Sequence, residues 1–547
     1  MKRWNFMRSL GTLIRVKGYI VETILISLIL ALTALISFAP WENINGYTAF
    51  NGSVVATFIL LTIVFITVSF FASRIVSAFF ILFIAAVIRF ASDKKQLLTG
   101  EPLSFSDISQ INHLGVAVKY APYWVIIIIS AIMLLFFASS LIFLIRRPIN
   151  RWISMAVAII IAIGFSGQEA FRTQLNPYLN RSGLYYYAWN WPQNIAVNGL
   201  FVHLLQTSSR PTPISLTAEQ RVEFENLKNA VTVSKNATRR FVMILCEACW
   251  YDEDNFKDAF SPLFKRGLID MRGISPAFGG GTPNATFEMI AGLPTVNPAV
   301  AGVIYQEYSS LIGRSVSTLP SHLSEAGYHT FSAHNYLPTF WQRNTVEPKL
   351  GFNAFYGLDA MVPNADYSVF PDDKVLFQFA QERLKNDPSP SFAHLATVKT
   401  HGPYHSKNND GGNSDYFERL SFSVDKIAEF IDEESRVSPD LVVLVYGDHK
   451  PALDMLVKNK LTDRHFRGDV PVFIFDGNKR RSAELKARVG SKPFYCFPTA
   501  ISEIYFDTKL PVAEYTDNPC ASYDGRNYDE VGGEIPRWLY TAAVFDN

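Results

Sequence analysis

Two apolar runs in this sequence each end in side chains that are able to bind a metal ion. Residues 440–449 read Asp-Leu-Val-Val-Leu-Val-Tyr-Gly-Asp-His, so the first run ends in Asp448 and His449. Residues 241–247 read Phe-Val-Met-Ile-Leu-Cys-Glu, so the second run ends in Glu247. Continuous runs rich in β-branched residues are typical of strands buried on both faces of a parallel sheet. Because open α/β sheets bind ligands at the carboxyl ends of their strands, we predict a metal site at this edge.

A hydroxyl nucleophile is predicted in the glycine-rich stretch 278–288, which reads Phe-Gly-Gly-Gly-Thr-Pro-Asn-Ala-Thr-Phe-Glu. Thr282 followed by Pro283 is typical of a helix N-cap with proline at the first helical position. A hydroxyl there faces the positive end of the helix dipole, which favours an alkoxide and a bound phosphate. Taken alone, the pattern also fits a threonine that only caps the helix.

The catalytic interpretation gains weight when the four side chains are taken together. They provide three oxygen ligands and one nitrogen ligand, a set suited to Mn²⁺, Mg²⁺ or Zn²⁺. Metal coordination lowers the pKa of a hydroxyl and so activates a nucleophile that is poor at neutral pH. We therefore predict one divalent metal, Mn²⁺, Mg²⁺ or Zn²⁺, bound by Glu247, Thr282, Asp448 and His449.

The first 165 residues are predicted to form a multi-helix membrane region. Hydrophobic residues make up 49% of the chain and are concentrated before about residue 170. Five apolar segments approach the length that crosses a hydrocarbon core of about 30 Å, the third and fifth being short. They are Tyr19–Phe38, Val54–Ala72, Ile75–Ile88, Trp124–Ile145 and Trp152–Phe165.

Basic residues predict a cytoplasmic N-terminus. The first loop, residues 41–53, has no Lys or Arg, whereas five basic residues precede the first span: Lys2, Arg3, Arg8, Arg15 and Lys17. Lys94 and Lys95 oppose this orientation, because they fall in a loop predicted to lie outside. Five spans then place the remaining chain of this multi-pass protein outside the cytoplasm. A net charge of +1 without a basic patch argues against a nucleic-acid partner.

All four cysteines fall in the part predicted to be extracytoplasmic: Cys246, Cys249, Cys496 and Cys520. Four cysteines allow three pairings, and the sequence does not choose among them. Cys496 and Cys520 fit a disulfide that staples a loop. Cys246 and Cys249 flank Glu247 and fit a local disulfide, two buried thiols or half of a zinc site. Zinc is disfavoured because the other two cysteines lack the spacing of a second pair.

The C-terminal half is predicted to fold as one α/β domain with a mainly parallel central sheet. Apolar strand-like runs alternate with helical patterns from about residue 240 to 510, including Phe392–Val398, Leu441–Tyr446 and Val470–Phe475. The predicted organisation is a membrane region at 1–165, a juxtamembrane linker at 166–238 and an extracytoplasmic domain at 239–547. The linker either lies along the bilayer surface or packs against the soluble domain.

These motifs resemble those of the lipoteichoic acid synthase-like phosphoglycerol transferases of the alkaline phosphatase/sulfatase superfamily. In that family a Glu after the first strand, a Thr nucleophile in a Gly-rich turn and an Asp-His pair bind one divalent metal, usually Mn²⁺. The resemblance assigns these roles to Glu247, Thr282, Asp448 and His449. It covers nearly the full length and implies a membrane-anchored, sulfatase-like fold.

The segment 334–343 ends in Phe-Trp-Gln-Arg and resembles the family's Phe-Trp-Asn-Arg segment. The Trp and Arg of that segment hold the glycerophosphate, so the resemblance implies substrate binding by Trp341 and Arg343. A guanidinium suits phosphate oxygens, although a salt-bridge role for Arg343 is the alternative. The family has an Asp five residues before the Trp, where this chain has Tyr336. This departure leaves the headgroup open.

A second segment, Lys-Thr-His-Gly-Pro-Tyr at 399–404, follows an apolar strand and resembles the family's strand-end His segment. The resemblance implies that His401 lies beside the phosphate and steadies it or protonates the leaving alkoxide. The alternative is a structural histidine.

The resemblance implies a metal-dependent phosphotransferase that moves sn-glycerol-1-phosphate from phosphatidylglycerol through a phospho-threonine intermediate. The predicted partners are the bilayer, that lipid donor and a glycan or polyol-phosphate acceptor; water as acceptor would make the protein a hydrolase. A phosphoethanolamine transferase is the nearest alternative, and an inactive lipid-binding or sensing homologue is another. A formylglycine sulfatase is disfavoured because residues 282–286 lack the Cys/Ser-x-Pro-x-Arg motif.

Overall fold

The computed structural model divides by its contacts into two compact units. One comprises Met1–Gln96 and Glu101–Arg210, and the other Leu97–Gly100 and Pro211–Asn547. The structure describes residues 2–38, 52–99, 101–109, 123–145, 169–186, 191–209, 213–313, 315–367, 369–386, 389–406, 409–459, 468–525 and 528–545. The sequence-based boundaries at residues 165 and 238 stay a prediction.

The first unit contains long apolar helices. They are α1 (Lys2–Ile36), α2 (Gly52–Val68), α3 (Arg74–Thr99) and α4 (Tyr123–Ile145), with a short helix at Phe105–Ser109. Among the described residues, three segments are long and apolar enough to cross a membrane: Tyr19–Ile36, Arg74–Thr99 and Tyr123–Ile145. The apolar helix α2 is shorter, with 17 residues.

Four of the five predicted spans therefore correspond to helices, and the fifth, Trp152–Phe165, lies outside the described residues. The placement of Lys94 and Lys95 in a loop was wrong, because α3 continues to Thr99. Lys95 is held there by Asp107, whose Oδ2 lies 2.6 Å from its Nζ.

The region after the membrane helices is folded where the structure describes it. Helices α5 (Glu169–Arg181), α6 (Trp191–Asn198) and α7 (Leu200–Thr207) follow one another. Fully buried amides join α6 to α7, since Asn194 Nδ2 donates to Gln206 Oε1 at 2.8 Å and lies 2.9 Å from His203 Nδ1. Buried polar groups that satisfy one another in this way hold a defined arrangement.

A mixed eight-stranded sheet forms the centre of the second unit. Its order is β4-β3-β5-β1-β6-β7-β2-β8. Only β7 runs against the others, because its pairings with β6 and β2 are antiparallel and the remaining pairings are parallel. The strands are β1 (Arg240–Cys246), β2 (Ile269–Ile274), β3 (His329–His334), β4 (Ala354–Tyr356), β5 (Ser391–Ala396), β6 (Leu441–Gly447), β7 (Val470–Asp476) and β8 (Lys492–Pro493).

Both faces of the sheet are covered, which explains the continuous apolar runs of the central strands. Phe241, Met243 and Leu245 pack into one hydrophobic cluster, whereas Val242 and Ile244 pack into another. Side chains alternate across a strand, so the two clusters lie on opposite faces. The predicted α/β domain with a mainly parallel sheet is confirmed.

Helices of seven or more residues in this unit are α8 (Ala218–Asn229), α9 (Thr282–Ala291), α10 (Leu319–Glu325), α11 (Arg343–Lys349), α12 (Lys374–Asn386), α13 (Asn413–Val437), α14 (Lys479–Val489), α15 (Phe497–Phe506) and α16 (Ala513–Ser522). Shorter α-helices lie at Ser261–Lys265, Ile304–Glu307, Asp454–Asn459, Tyr528–Gly533 and Trp538–Ala543. Two disulfides are formed, Cys246–Cys249 and Cys496–Cys520. These resolve the pairing that the sequence left open.

Candidate active site

Two adjacent strands bring the metal-type side chains together. Cys246, the last residue of β1, is paired in parallel register with Gly447, the last residue of β6. Glu247 and Asp448 therefore leave the same edge of the sheet side by side, and His449 follows. All three side chains are buried, with exposures of 5%, 0% and 2%.

A tight loop fixes Glu247. The Cys246–Cys249 disulfide closes it, and Ala248 adopts a left-handed conformation with φ 50°. The Ala248 amide donates to Asp448 Oδ1 at 2.7 Å. The backbone next to Glu247 therefore holds the carboxylate of Asp448. Gly447 is required because a Cβ there would clash with the Cys249 carbonyl.

The three ligating atoms converge on one point. His449 Nε2 lies 3.4 Å from Glu247 Oε1 and 3.3 Å from Asp448 Oδ2, and the ligand atoms of the set all lie within 4.8 Å of one another. Among the described residues, Asp448 Oδ2 and His449 Nε2 are buried and lack a hydrogen bond of regular geometry. Buried polar atoms are nearly always partnered, so two such atoms aimed at one point fit a bound cation.

The second nitrogen of His449 supports this arrangement. Its Nδ1 lies 3.0 Å from the carbonyl oxygen of Lys450, which can only accept, so Nδ1 carries the proton. Nε2 faces the carboxylates and would offer its lone pair to a bound metal, as in metal-binding histidines whose other nitrogen donates to the backbone. Glu247, Asp448 and His449 thus fit the divalent metal predicted from the sequence.

Electrostatics in the cluster also favour a cation. Burial and the charge of Glu247 raise the pKa of Asp448 to about 6. Burial would raise the pKa of Glu247, but the hydrogen bond and charge of His449 outweigh it and lower that pKa to about 2. Burial opposes a charge on His449, yet Asp448 and Glu247 outweigh burial and raise its pKa to about 9. The imidazolium is a counter-charge to two carboxylates, a role that a metal ion performs in such sites.

Thr282 lies next to the cluster at the start of α9. Its Oγ1 donates to Glu247 Oε2 at 3.3 Å, and the residue is 5% exposed. The predicted N-cap role was wrong, because Thr282 is the first helical residue and its hydroxyl makes no capping bond. Gly281 precedes the helix with φ 84°, a left-handed conformation that glycine adopts readily. This conformation lets the helix begin at Thr282. The hydroxyl is therefore free for chemistry beside the carboxylates.

Glu288, further along α9, gives a test of how that helix is anchored. It is fully buried, and its Oε1 accepts from the Thr295 amide at 2.7 Å and from the Tyr528 hydroxyl. Burial raises its pKa from 4.5 to about 7, although these hydrogen bonds lower it. The folded protein thus keeps a proton that the unfolded chain releases near pH 4.5. Stability is expected to fall as the pH rises from about 4.5 to 7, by on the order of 3 kcal/mol.

Replacing Glu288 with glutamine is expected to flatten this decline, because glutamine does not titrate. Thermal unfolding of the full chain in detergent at several pH values between about 4.5 and 8 measures the effect. The exposed Glu382→Gln variant is the control and is expected to keep the wild-type slope. The same slope in Glu288→Gln would contradict the prediction.

His401 lies on the turn after β5. Its Nδ1 is 2.7 Å from the Gly402 carbonyl oxygen, so Nδ1 carries a proton and Nε2 is left to exchange one. The rings of Phe370 and Phe340 lie 4.7 and 6.4 Å from the imidazole, centroid to centroid. His401 lies within electrostatic reach of Glu247 and is one of the groups that lower the pKa of that carboxylate.

His334 is a further side chain at this edge, one that the sequence interpretation left without a role. It is the last residue of β3, buried, and its Nδ1 lies 3.0 Å from the Ala396 carbonyl oxygen. Burial and the nearby charge of Arg343 lower the pKa of His334 to about 3, so its imidazole is neutral near neutral pH. The sequence could have drawn attention to His334 through its position, because the segment that carries Trp341 begins with this histidine.

Trp341 and Arg343 lie on the segment that follows β3. Trp341 and Gln342 both have φ 57°, an unfavourable conformation for side chains of this size. Arg343 then begins α11 and is 2% exposed, and its Nη1 lies 2.8 Å from Glu347 Oε1. Its Nε is buried without a hydrogen-bond partner. The substrate-binding roles of Trp341 and Arg343 stay a prediction.

Residues 273–502 match the sulfatase family model. The chain carries a sulfatase-family domain. The predicted resemblance to the alkaline phosphatase/sulfatase superfamily is confirmed, and Thr282, Asp448 and His449 fall within the match. The sulfatase domain also includes β5 and β6, the strands that position His401 and the Asp-His pair.

Proteins with similar sequences are named for modification of a glucan and for synthesis of lipoteichoic acid. A protein of Rhizobium meliloti (strain 1021), named "Putative cyclic beta-1,2-glucan modification protein", is 23% identical over 68% of this chain and 62% of its own length. The lipoteichoic acid synthase of Staphylococcus saprophyticus is 26% identical over 26% of this chain and 24% of its own length. The chain thus matches less than two thirds of the length of these relatives.

Solved structures show similarity at low sequence identity. The Streptococcus pyogenes phosphoglycerol transferase GacH, in complex with sn-glycerol-1-phosphate, is 18% identical with a TM-score of 0.45 and covers 61% of this chain and 95% of its own. The lipooligosaccharide phosphoethanolamine transferase A of Neisseria meningitidis is 13% identical with a TM-score of 0.46 and covers 87% and 95%.

Proposed function

We propose that this chain is a membrane phosphoglycerol transferase that moves sn-glycerol-1-phosphate from phosphatidylglycerol to a glycan or polyol-phosphate acceptor through a phospho-threonine intermediate. The observation that carries the proposal is the hydroxyl of Thr282, which lies 3.3 Å from Glu247 in a cluster completed by Asp448 and His449. A hydroxyl that caps no helix and faces a cation-binding cluster is a suitable nucleophile.

Two displacements at phosphorus complete the transfer. In the first, Thr282 Oγ1 gives its proton to Glu247 Oε2, its hydrogen-bond acceptor, and forms a bond to phosphorus while the bond from phosphorus to the diacylglycerol oxygen breaks. The leaving oxygen takes a proton from Nε2 of His401. In the second, the acceptor hydroxyl gives its proton to the same nitrogen and bonds to phosphorus, the bond from phosphorus to Thr282 Oγ1 breaks, and Oγ1 takes its proton back from Glu247 Oε2. Microscopic reversibility lets one histidine act as acid and then as base.

Glu247, Asp448 and His449 would hold the divalent metal. When bound, the metal supplies positive charge that stabilises phosphoryl oxygens and an ionised hydroxyl. In this proposal Arg343 and His401 bind the same phosphoryl oxygens, and Trp341 lies against the headgroup. Electrostatic stabilisation of this kind is the main requirement of phosphoryl transfer.

The acceptor is proposed from the names of the relatives. One is named for modification of a cyclic β-1,2-glucan, and others are named as synthases of lipoteichoic acid. The chain carries apolar helices long enough to span a membrane, and the predicted donor and leaving group are both lipids. A glycan or polyol-phosphate chain near the membrane surface is thus the proposed acceptor.

A phosphoethanolamine transferase is the second candidate, and the surroundings of Tyr336 favour it. The Tyr336 ring lies 5.6 Å from Phe340 and 5.2 Å from Phe370, and both of those rings also neighbour His401. Aromatic faces attract an ammonium group through cation–π interactions. This cluster, where the resembling family has a carboxylate, therefore suits an ethanolamine headgroup.

Intact-mass analysis of the full chain separates the two candidates. The protein is incubated with Mn²⁺ in vesicles of phosphatidylcholine with phosphatidylglycerol, of phosphatidylcholine with phosphatidylethanolamine, and of phosphatidylcholine alone. We expect one glycerophosphoryl unit, on the peptide that contains Thr282, in the first vesicles only. A phosphoethanolamine unit in the second vesicles would select the other candidate. No adduct and no diacylglycerol release in any vesicle would contradict both.

A further inference from the structure

Resting on the proposed function, we propose that Asp373 is a positioning residue that holds the His401 turn and the end of β3 in register for phosphoryl transfer. Asp373 directly precedes α12 and is fully buried. It lies outside the metal cluster, and no role in the proposed steps falls to it. Its contacts nevertheless join the two strand ends that carry His401 and His334.

Four donors converge on this carboxylate. Oδ1 accepts from the amides of Val398 and Lys399 at 2.9 and 3.2 Å and from Asn335 Nδ2 at 3.0 Å. Oδ2 accepts from Ser423 Oγ on α13 at 2.6 Å. A carboxylate with two or more backbone amides as donors is a strong local anchor.

The turn anchored in this way reaches both parts of the site. The His401 amide donates at 3.0 Å to the carbonyl oxygen of Val398. The amide of Val398 is itself one of the two backbone donors to Asp373. Thr400 Oγ1 donates to the carbonyl oxygen of Glu247, and Thr397 Oγ1 accepts from the Glu247 amide at 2.9 Å. Asp373 therefore fixes the turn that carries His401, and threonines of that turn hydrogen-bond to the backbone of Glu247.

The contact with Asn335 extends the anchor to β3. Asn335 directly follows His334, and its side-chain nitrogen binds the same Oδ1 as the two amides of the turn. Since β3 and β5 are adjacent and parallel, one oxygen atom sets how their ends lie relative to each other. A shift of about 1 Å in groups that contact a reacting phosphate lowers a rate by about 100-fold.

Burial of the Asp373 carboxylate costs free energy, which argues that the residue has a functional role at this position. Burial raises the pKa of Asp373, and the bonds from Ser423, Val398 and Asn335 only partly oppose that effect. A role limited to attaching α12 would be performed as well by an apolar side chain. An apolar side chain could not accept hydrogen bonds from the three donors at two strand ends that share Asp373 Oδ1.

The test uses the full chain with Mn²⁺ in phosphatidylglycerol vesicles and compares Asp373→Ala, Asp373→Asn and Asp372→Ala with wild type. Active sites are counted by the amplitude of the Thr282 adduct, and the rate of adduct formation is measured at several donor concentrations. Asp372 is the matched control, because it is exposed and its side chain accepts only from the Lys374 amide. Hydrogen exchange of segments 333–336 and 397–402 is followed in each variant.

We expect Asp373→Ala to form the adduct about 100-fold more slowly per active site, with the half-saturating donor concentration unchanged within about twofold. Asp373→Asn keeps an acceptor at Oδ1 and is expected to stay within about fivefold of wild type. Asp372→Ala is expected to match wild type. If Asp373→Ala does not fold, Asn335→Ala removes one bond to Oδ1 and is expected to slow the reaction about tenfold.

A lower adduct amplitude with a wild-type rate would show a role in folding alone and overturn the proposal, as would an Asn variant as slow as the Ala variant. If wild type forms no adduct, the transferase proposal fails separately. Hydrogen exchange then decides on Asp373 alone: faster exchange in both segments of Asp373→Ala retains the anchoring role, and unchanged exchange overturns it.

Discussion

Replacing Thr282 with alanine is expected to abolish the covalent adduct and to lower phosphoglycerol transfer by about 10⁴-fold or more, the scale of effect seen when a nucleophile is removed. The reason is that Oγ1 is the side-chain atom that would bond to phosphorus, and it lies beside Glu247 without a capping role. Intact mass and release of diacylglycerol from full-length protein in phosphatidylglycerol vesicles measure both effects.

Thr282→Ser is the matched control, because it keeps the hydroxyl and loses only the methyl group. It is expected to form an adduct of the same mass at a lower rate. If the alanine variant still transferred phosphoglycerol at the wild-type rate, the nucleophile would be a different group. Stability measured beside activity separates this result from misfolding, since residue 282 is buried at the start of α9.

Divalent metal is expected to stabilise the folded protein and to be required for transfer. A ligand present at 100 times its dissociation constant adds about 2.7 kcal/mol to the free energy of unfolding. Mn²⁺ is therefore expected to raise the melting temperature of chelator-treated full-length protein by several degrees. Glu247→Gln and His449→Ala are each expected to lose most of this rise, because each removes one of the three convergent ligands.

Asp432→Asn is the control for a general effect of lost charge, since Asp432 is partly exposed and paired with Arg266. It is expected to keep the full response to Mn²⁺. An equal response in the His449→Ala variant would contradict the assigned metal site. A response to Mg²⁺ or Zn²⁺ but not Mn²⁺ would keep the site and change the metal.

The metal ligands could be predicted from the sequence because their positions depend on local features. A strand buried on both faces must be apolar throughout, so its end is marked by the first polar residues. Glu247 and Asp448 are marked in this way, and β1 and β6 are adjacent in the sheet. Once the strands are recognised, the general rule about strand ends brings these side chains to one edge of the sheet, where the structure also has them.

Other parts of the site depend on contacts between distant residues. Asp373 precedes α12, and no run or motif marks it, yet its partners lie after β3, after β5 and on α13. His334 is the last residue of a strand that the sequence interpretation did not identify. The start of α9 was misplaced by one residue, because Thr-Pro is a common capping pattern and the left-handed conformation of Gly281 is seen only in the structure.

The Cys246–Cys249 disulfide makes the geometry of Glu247 depend on whether these two thiols were oxidised when the chain matured. Glu247 lies between two cysteines joined to each other, so the geometry of this metal ligand is set only after a thiol oxidation step. Such oxidation takes place in compartments outside the cytosol. Chain produced in a reducing cytosol would carry two thiols at this point and a less restrained carboxylate. Preparations of identical sequence are then expected to differ in metal content according to where they matured, which makes thiol titration a necessary companion to every activity measurement.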